Sequence, residues 1–318
     1  MYKRIIKKFI KVLESLIKDK KASPEPIIDE SSGLTREQLV SQLDGIPLEK
    51  GSIVFIHSGY KSIGAVRGGP QTVVEALRES LVESRDITVA MPSFTIFGNV
   101  QQQLKSKTVF DVRSSPTVFK DIPLTFQKLP NIKRSIHPTH SIIALGPKAQ
   151  WLVKEHHTCG SIFGKDSPFG KLLDHKSYIM GMGSRLGTVT FYHAIEDIEP
   201  DFPFPVYTDD SPYKVTCIDH DGNKVKMNVS AHDSKVSRVR IDNPKTGAFL
   251  RDIYTRVFEN VAGLDYYSVG KAKTWLIDAQ RMYETQKQLT YSGISIYATE
   301  QSIGDFISKC LFAKVNDG

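Results

Sequence analysis

The chain has 318 residues, 40% of them hydrophobic, enough for a sizeable core in one large α/β domain or two smaller ones. Its net charge of +7 is local: residues 1–21 hold eight Lys/Arg against two acids and so carry six of the seven net charges, which excludes a nucleic-acid binder with basic charge spread over its folded body. No run of about 18 apolar residues exists to span a membrane, and Cys159, Cys217 and Cys310 have no zinc-site or disulfide spacing, which fits a reducing cytoplasm.

Residues 1–21 read as a basic amphipathic helix. Ile5, Ile6, Phe9, Ile10, Val12, Leu13, Leu16 and Ile17 recur at helical spacing with lysines between them. Such a helix suits an anionic membrane surface or a partner, and it equally suits packing on its own domain; the sequence leaves both open. It allows a cytoplasmic protein or one peripheral on the inner face of the membrane. Lysines interrupt every apolar stretch, which argues against a signal peptide. Residues 22–33 are a linker with two prolines.

The catalytic-size domain then spans 34–318. Thr35 and Gln38 form a capping box, with Leu34 and Leu39 spaced for a hydrophobic staple. Ile53-Val-Phe-Ile is a buried strand ending at His57-Ser58. Gly69-Pro70 opens a helix with buried face Val73, Val74, Leu77 and Leu81. Ile87–Met91 is a second strand, followed by a long polar loop from Ser93 to about Arg113. Ser115-Pro116 opens another helix. A strand over Ser141–Leu145, a helix over Pro147–His156, a short helix after Ser167-Pro168 and a strand over Tyr178–Met182 follow. This alternation implies an α/β layered domain with a central mixed sheet flanked by helices. Residues 213–218 and 224–229 alternate around the turn-rich Asp219-His-Asp-Gly222 and read as an inserted β-hairpin.

Chemistry concentrates in three segments. His193 follows a Gly-rich stretch (Gly181, Gly183, Gly187), and Glu196 at i+3 falls on the same helical face. The pair suits a general base with an orienting carboxylate, and it suits equally a satisfied structural pair. His57-Ser58 ends a strand, where open α/β sheets bind ligands; the alternative is a strand-end cap. In Arg134-Ser-Ile-His-Pro-Thr-His-Ser141, Pro138 pushes His137 toward an extended backbone, Arg134 suits a phosphate or carboxylate, and the motif also fits a rigid buried turn. His137 and His140 lack further ligands at convincing spacing, so no metal is expected.

Taken in order, Gly51-Ser-Ile-Val-Phe-Ile-His-Ser58 with Lys61-Ser-Ile-Gly64 and Gly68-Gly-Pro-Gln71, Arg134–Ser141, Thr190-Phe-Tyr-His-Ala-Ile-Glu196 and Val269-Gly-Lys-Ala272 resemble the antibiotic N-acetyltransferases, the aminoglycoside 3-N-acetyltransferases and their relatives. The resemblance runs from about Leu34 to about Ala279. It implies acyl transfer from acetyl-CoA to an amine, with His193 and Glu196 catalytic. It further implies that His57, Ser58, Tyr60, Lys61, Ser62 and Gly64 line the coenzyme A channel, with Arg134 or Lys61 near the phosphates and Ser141 beside them. His137, His140, Glu196, Asp197 and Asp209 are the expected acceptor contacts. Two departures stand out. Gly59 replaces a serine frequent in the family, and the segment from Gly183 to His193 is about two residues longer than in aminoglycoside-modifying members.

Because the body is neutral and aminoglycosides are polycations, the expected acceptor is an amino sugar of a surface polysaccharide, nucleotide- or lipid-linked. Aminoglycoside modification is the alternative. A serine hydrolase built on Ser58 lacks the Gly-x-Ser-x-Gly elbow. An inactive membrane-associated scaffold would have no need of both His-containing segments. A homo-oligomer is left open.

Overall fold

The computed structural model describes residues 33–96, 99–106 and 108–304. The basic helix and most of the linker expected at the N-terminus lie outside these residues. No helix among the described residues is long and apolar enough to cross a membrane.

A seven-stranded mixed sheet organises the molecule, in the order β4-β5-β2-β1-β6-β10-β9. β1 (Ile53–Ser58), β2 (Thr88–Pro92) and β6 (Ser177–Met182) are parallel; β4 (Lys133–Arg134), β5 (Ile142–Leu145), β9 (Asp265–Val269) and β10 (Ala272–Asp278) add antiparallel flanks. Both faces of β1 are buried, which is why it reads as an unbroken apolar run. Its side chains alternate: Ile53 and Phe55 join one hydrophobic cluster, and Val54 and Ile56 join the other. Helices Arg36–Asp44, Gly69–Leu77 and Asp121–Phe126 cover the second face; helices Ala248–Val257 and Ala279–Tyr291 cover the first.

The capping box at Thr35 and Gln38 forms as read. Leu34 also makes a backbone bridge to Val66, and its side chain packs against the cluster that contains Leu39. The hairpin pairs β7 (Tyr213–Ile218) with β8 (Lys224–Val229), and β3 (Phe110–Asp111) extends it into a second, three-stranded sheet. Two local expectations need correction. The loop after β2 contains a helix, Val100–Lys105, capped by the Asn99 side chain. No helix begins at Ser115-Pro116. There the Ser115 hydroxyl accepts the Asp111 N–H and its carbonyl accepts from Arg134, so local side-chain bonds replace the helical ladder. The next helix starts at Asp121.

The chain leaves β1 to form β2 on one side and later returns as β6 on the other. The carboxyl end of β1 is therefore a topological switch point, the place where such sheets open a ligand crevice.

Candidate active site

A cavity of about 310 Å³ opens at that switch point. Its floor is His57 and Ser58 from the end of β1. One wall comes from Ser184 and residues 187–190 after β6, and a second from Phe94, Phe119 and His140. The third wall carries His193, His232, Arg240, Asp242 and Ile296.

Close packing of two backbone turns shapes the floor. Gly59 N–H donates to Met182 O at 2.9 Å, and Ser62 Oγ donates to Gly183 O at 3.1 Å. A Cβ on Gly59 would sit 2.5 Å from Gly183 O, and Gly183 itself has φ +69°. The family's serine at 59 cannot be accommodated without separating these turns, so its hydroxyl has no equivalent here. His57 Nε2 and Ser58 Oγ are buried and have no hydrogen-bond partner among the described residues. Burial lowers the His57 pKa to about 4, so its ring is neutral.

The chemical centre is a single carboxylate held from three directions. Glu196, on the short helix Ala194–Ile198, has a fully buried side chain. Its Oε1 lies 2.8 Å from His193 Nδ1 and accepts from Tyr297 OH at 2.6 Å; its Oε2 lies 2.7 Å from His232 Nε2. Burial raises the Glu196 pKa, but the adjacent imidazoles and their hydrogen bonds outweigh it and hold the group well below the usual carboxylate range. A carboxylate only accepts, so His193 Nδ1 and His232 Nε2 carry the protons. His193 Nε2 is then a bare lone pair on a residue that lines the cavity. Burial lowers the His193 pKa below 6.5 despite Glu196, which keeps that lone pair free at neutral pH. The His193 ring is braced by Phe163 at 5.1 Å and His232 at 4.7 Å between centroids.

His193, Glu196 and His232 are also the one trio among the described residues spaced to hold a metal ion, with ligand atoms within 4.8 Å of one another. Both carboxylate oxygens already face a ring N–H. A metal would have to displace two protons and both hydrogen bonds.

Several expected site residues lie elsewhere. Arg134 is 4% exposed. Its guanidinium donates to Ser115 O at 2.6 Å, to the carbonyls of Ser93 and Val112, and to Ser141 Oγ. Burial lowers its pKa to about 10. It ties loops together and cannot reach a coenzyme phosphate. Ser141 is buried and donates to Ser135 O at 2.7 Å, so it belongs to the same structural knot. His137 is buried, accepts N–H groups of Thr139 and His140 at Nδ1, and stacks on His156 at 4.5 Å. It holds the turn, while its neighbour His140 reaches the cavity. Asp197 turns away from the cavity, accepting from Phe163 N–H and Tyr207 OH. Asp209 is exposed and outside the cavity. Tyr60, Lys61, Ser62 and Gly64 form the short turn beyond β1, with Lys61 exposed and the Lys271 stem over Gly64.

The sequence did not reveal His232, Tyr297 or Arg240. Each is brought in from a distant segment, and none carries a local spacing signal.

A family model described as aminoglycoside 3-N-acetyltransferase matches residues 55–290. The chain is 30% identical over 177 residues to aminoglycoside N(3)-acetyltransferase III of Serratia marcescens, covering 52% of this chain; it spans 65%, just under two thirds, of that relative. It superposes on the crystal structure of aminoglycoside acetyltransferase AAC(3)-Xa with TM-score 0.66 and 22% identity, covering 84% of this chain and 95% of that one. The structure titled AAC-IIIb binary with CoASH matches with TM-score 0.65 and 20% identity over 82% and 96% of the two chains.

Proposed function

Because the chain belongs to the aminoglycoside 3-N-acetyltransferase family, we propose that it transfers the acetyl group of acetyl-CoA to an amino group of an aminoglycoside-type acceptor. One observation carries the reading: a buried, neutral His193 whose Nδ1–H is fixed on Glu196 and whose Nε2 is left to the cavity. A structure titled as a binary complex with CoASH supports the co-substrate. The relatives' names support aminoglycosides as acceptors. The surface-polysaccharide amino sugar expected from the charge distribution has no such support.

In this mechanism His193 Nε2 takes a proton from the acceptor ammonium, or from the amine as it attacks. The nitrogen forms a bond to the thioester carbonyl carbon, the carbonyl becomes an oxyanion, and the C–S bond then breaks. Glu196 stabilises the imidazolium that forms and fixes the ring tautomer. The imidazolium returns its proton to the departing thiolate or to water. Ser58 Oγ and His57 Nε2 are buried polar groups at the cavity floor without partners among the described residues. They are suited to donate to the thioester oxygen, where charge develops. No cysteine among the described residues lines the cavity to serve as a nucleophile, which favours direct transfer in a ternary complex.

The test is free-thiol release from acetyl-CoA with kanamycin, gentamicin and simple amino sugars as acceptors. Acceptor-dependent thiol release that His193→Ala abolishes supports the reading. A protein that releases no thiol with any amine, or binds no acyl thioester, has a different function.

A further inference from the structure

We infer that Lys271 and Arg185, together with Lys61, hold the phosphates of coenzyme A at the outer rim of the cavity floor. This deepens the acetyl-transfer reading above and rests on it. The sheet brings three chain segments to this rim. β1 and β6 end side by side, with Ser58 in register with Met182, and β10 starts on the other side of β6, with Thr274 in register with Met182. The connections beyond these ends interlock. Ser62 Oγ donates to Gly183 O at 3.1 Å, Gly183 N–H donates to Lys273 O at 3.3 Å, and Lys271 N–H donates to Ile63 O at 2.9 Å. The three segments, 51–74, 177–195 and 266–277, contain five Lys or Arg residues and no Asp or Glu. Lys61, Arg185 and Lys271 are exposed, and none of them forms an ion pair among the described residues.

Cations gathered without a counter-charge raise the local positive potential, and a polyanion is drawn to it. Coenzyme A is such a polyanion, with a pyrophosphate and a ribose phosphate. In the acetyl-transfer reading its thioester lies over Ser58, and only the short helix Tyr60–Ile63 separates that floor from Gly64 and the Lys271 stem. Lys271 is positioned before any ligand arrives. Gly64 has φ +91° and no side chain, and the Lys271 stem fills the space beside it, with Cδ 3.2 Å and Cγ 3.4 Å from where a Cβ would stand. The stem packs on the turn while the ammonium stays in water, so less freedom is lost when a phosphate binds. Arg185 is fixed from behind, because Trp275 Nε1 donates to the carbonyl of the preceding Ser184 at 2.8 Å. Its planar guanidinium suits phosphate oxygens, and it lies in the lengthened segment between Gly183 and His193. Lys273 differs, since its ammonium is already engaged 3.5 Å from the centroid of the Tyr266 ring. Lys271 and Arg185 thus supply at the surface the charge that buried Arg134 cannot offer.

The test is calorimetric titration of coenzyme A, dephospho-coenzyme A and pantetheine into the wild type and the Lys271→Met, Lys271→Arg, Arg185→Gln and Lys273→Gln proteins, with KM and kcat for acetyl-CoA measured alongside. Lys271→Met keeps an apolar stem on Gly64 and removes the charge. Lys271→Met and Arg185→Gln should each weaken coenzyme A about five- to tenfold, between an exposed ion pair and a charge-assisted hydrogen bond, and raise KM with little change in kcat. Lys271→Arg and Lys273→Gln should bind as the wild type does, and pantetheine should bind all the proteins equally. Added salt should weaken coenzyme A binding most in the wild type. A Lys271→Met defect that vanishes with dephospho-coenzyme A supports the inference through the ribose phosphate, and one that persists supports it through the pyrophosphate. Coenzyme A affinity unchanged in either Lys271→Met or Arg185→Gln, or a loss that pantetheine shares, overturns the inference while leaving acetyl transfer standing. A wild type that binds none of the three ligands overturns both.

Discussion

Lowering the pH should unfold this protein sooner than its carboxylates alone would require. His57, His137, His140 and His156 are each under a tenth exposed. Burial lowers the pKa of His57 to about 4 and of His156 to about 3, and pushes His137 and His140 well below the usual histidine value. The folded rings are therefore neutral where unfolded ones, near 6.5, take up protons. The unfolded chain gains binding as pH falls, so the stability from these neutral rings is complete above about pH 6.5 and declines below it. The decline ends for each ring only at its folded pKa, about 4 for His57 and about 3 for His156. At about pH 5 a single such ring weakens folding by about 2 kcal/mol. His57 and His156 together weaken it by about 4 kcal/mol, a large part of the stability of a domain, and His137 and His140 act in the same direction. Urea unfolding followed by tryptophan fluorescence at about pH 8, 6.5 and 5 measures this directly. The midpoint should fall steeply between the last two, and His156→Gln should reduce the pH slope. A midpoint that is level from pH 8 to 5 would refute the neutral-histidine argument.

Three further outcomes follow from the site. His193→Ala should lower the chemical step about 10²–10⁴-fold, the usual range for losing a general base, while calorimetric affinity for coenzyme A stays near wild type. Tyr297→Phe frees Glu196 Oε1 from a competing donor, strengthens its hold on His193 and so raises the imidazole pKa; the acidic limb of kcat/KM, which should lie below 6.5 in the wild type, should move to higher pH. An unmoved limb would mean that Tyr297 serves packing alone. Gly59→Ala places a methyl 2.5 Å from Gly183 O and should destabilise the fold by about 1–3 kcal/mol, as overpacking does, read as a lowered urea midpoint with loss of coenzyme A binding.

The sheet was legible where burial acts on both faces of a strand. Ile53-Val-Phe-Ile and Tyr178–Met182 carry that pattern in their side chains, and Thr35 with Gln38 carries a complete local instruction for a helix start. The pairing of His193 with Glu196 was legible because i+3 spacing brings the two groups together without help from the rest of the chain. Arg134 misled for a physical reason. A buried guanidinium satisfied by backbone carbonyls and one aimed at a phosphate have the same sequence, and only the positions of Ser93, Val112 and Ser115 separate them. Ser115-Pro116 misled because the hydroxyl and carbonyl that would have started a helix were taken by neighbours. His232 and Tyr297 left no trace, since their contact with Glu196 spans 36 and 101 residues.

Those separations also set the order in which the site's groups are synthesised. In chain order the carboxylate of Glu196 meets His193 three residues away, His232 after the β7–β8 hairpin, and Tyr297 after the helix Ala279–Tyr291. A chain emerging from the ribosome thus carries its base and its carboxylate long before the hydroxyl that completes their setting. The His193–Glu196 couple is therefore a local unit, and the C-terminal segment adds to it only the hydroxyl that sets how tightly Glu196 holds the ring.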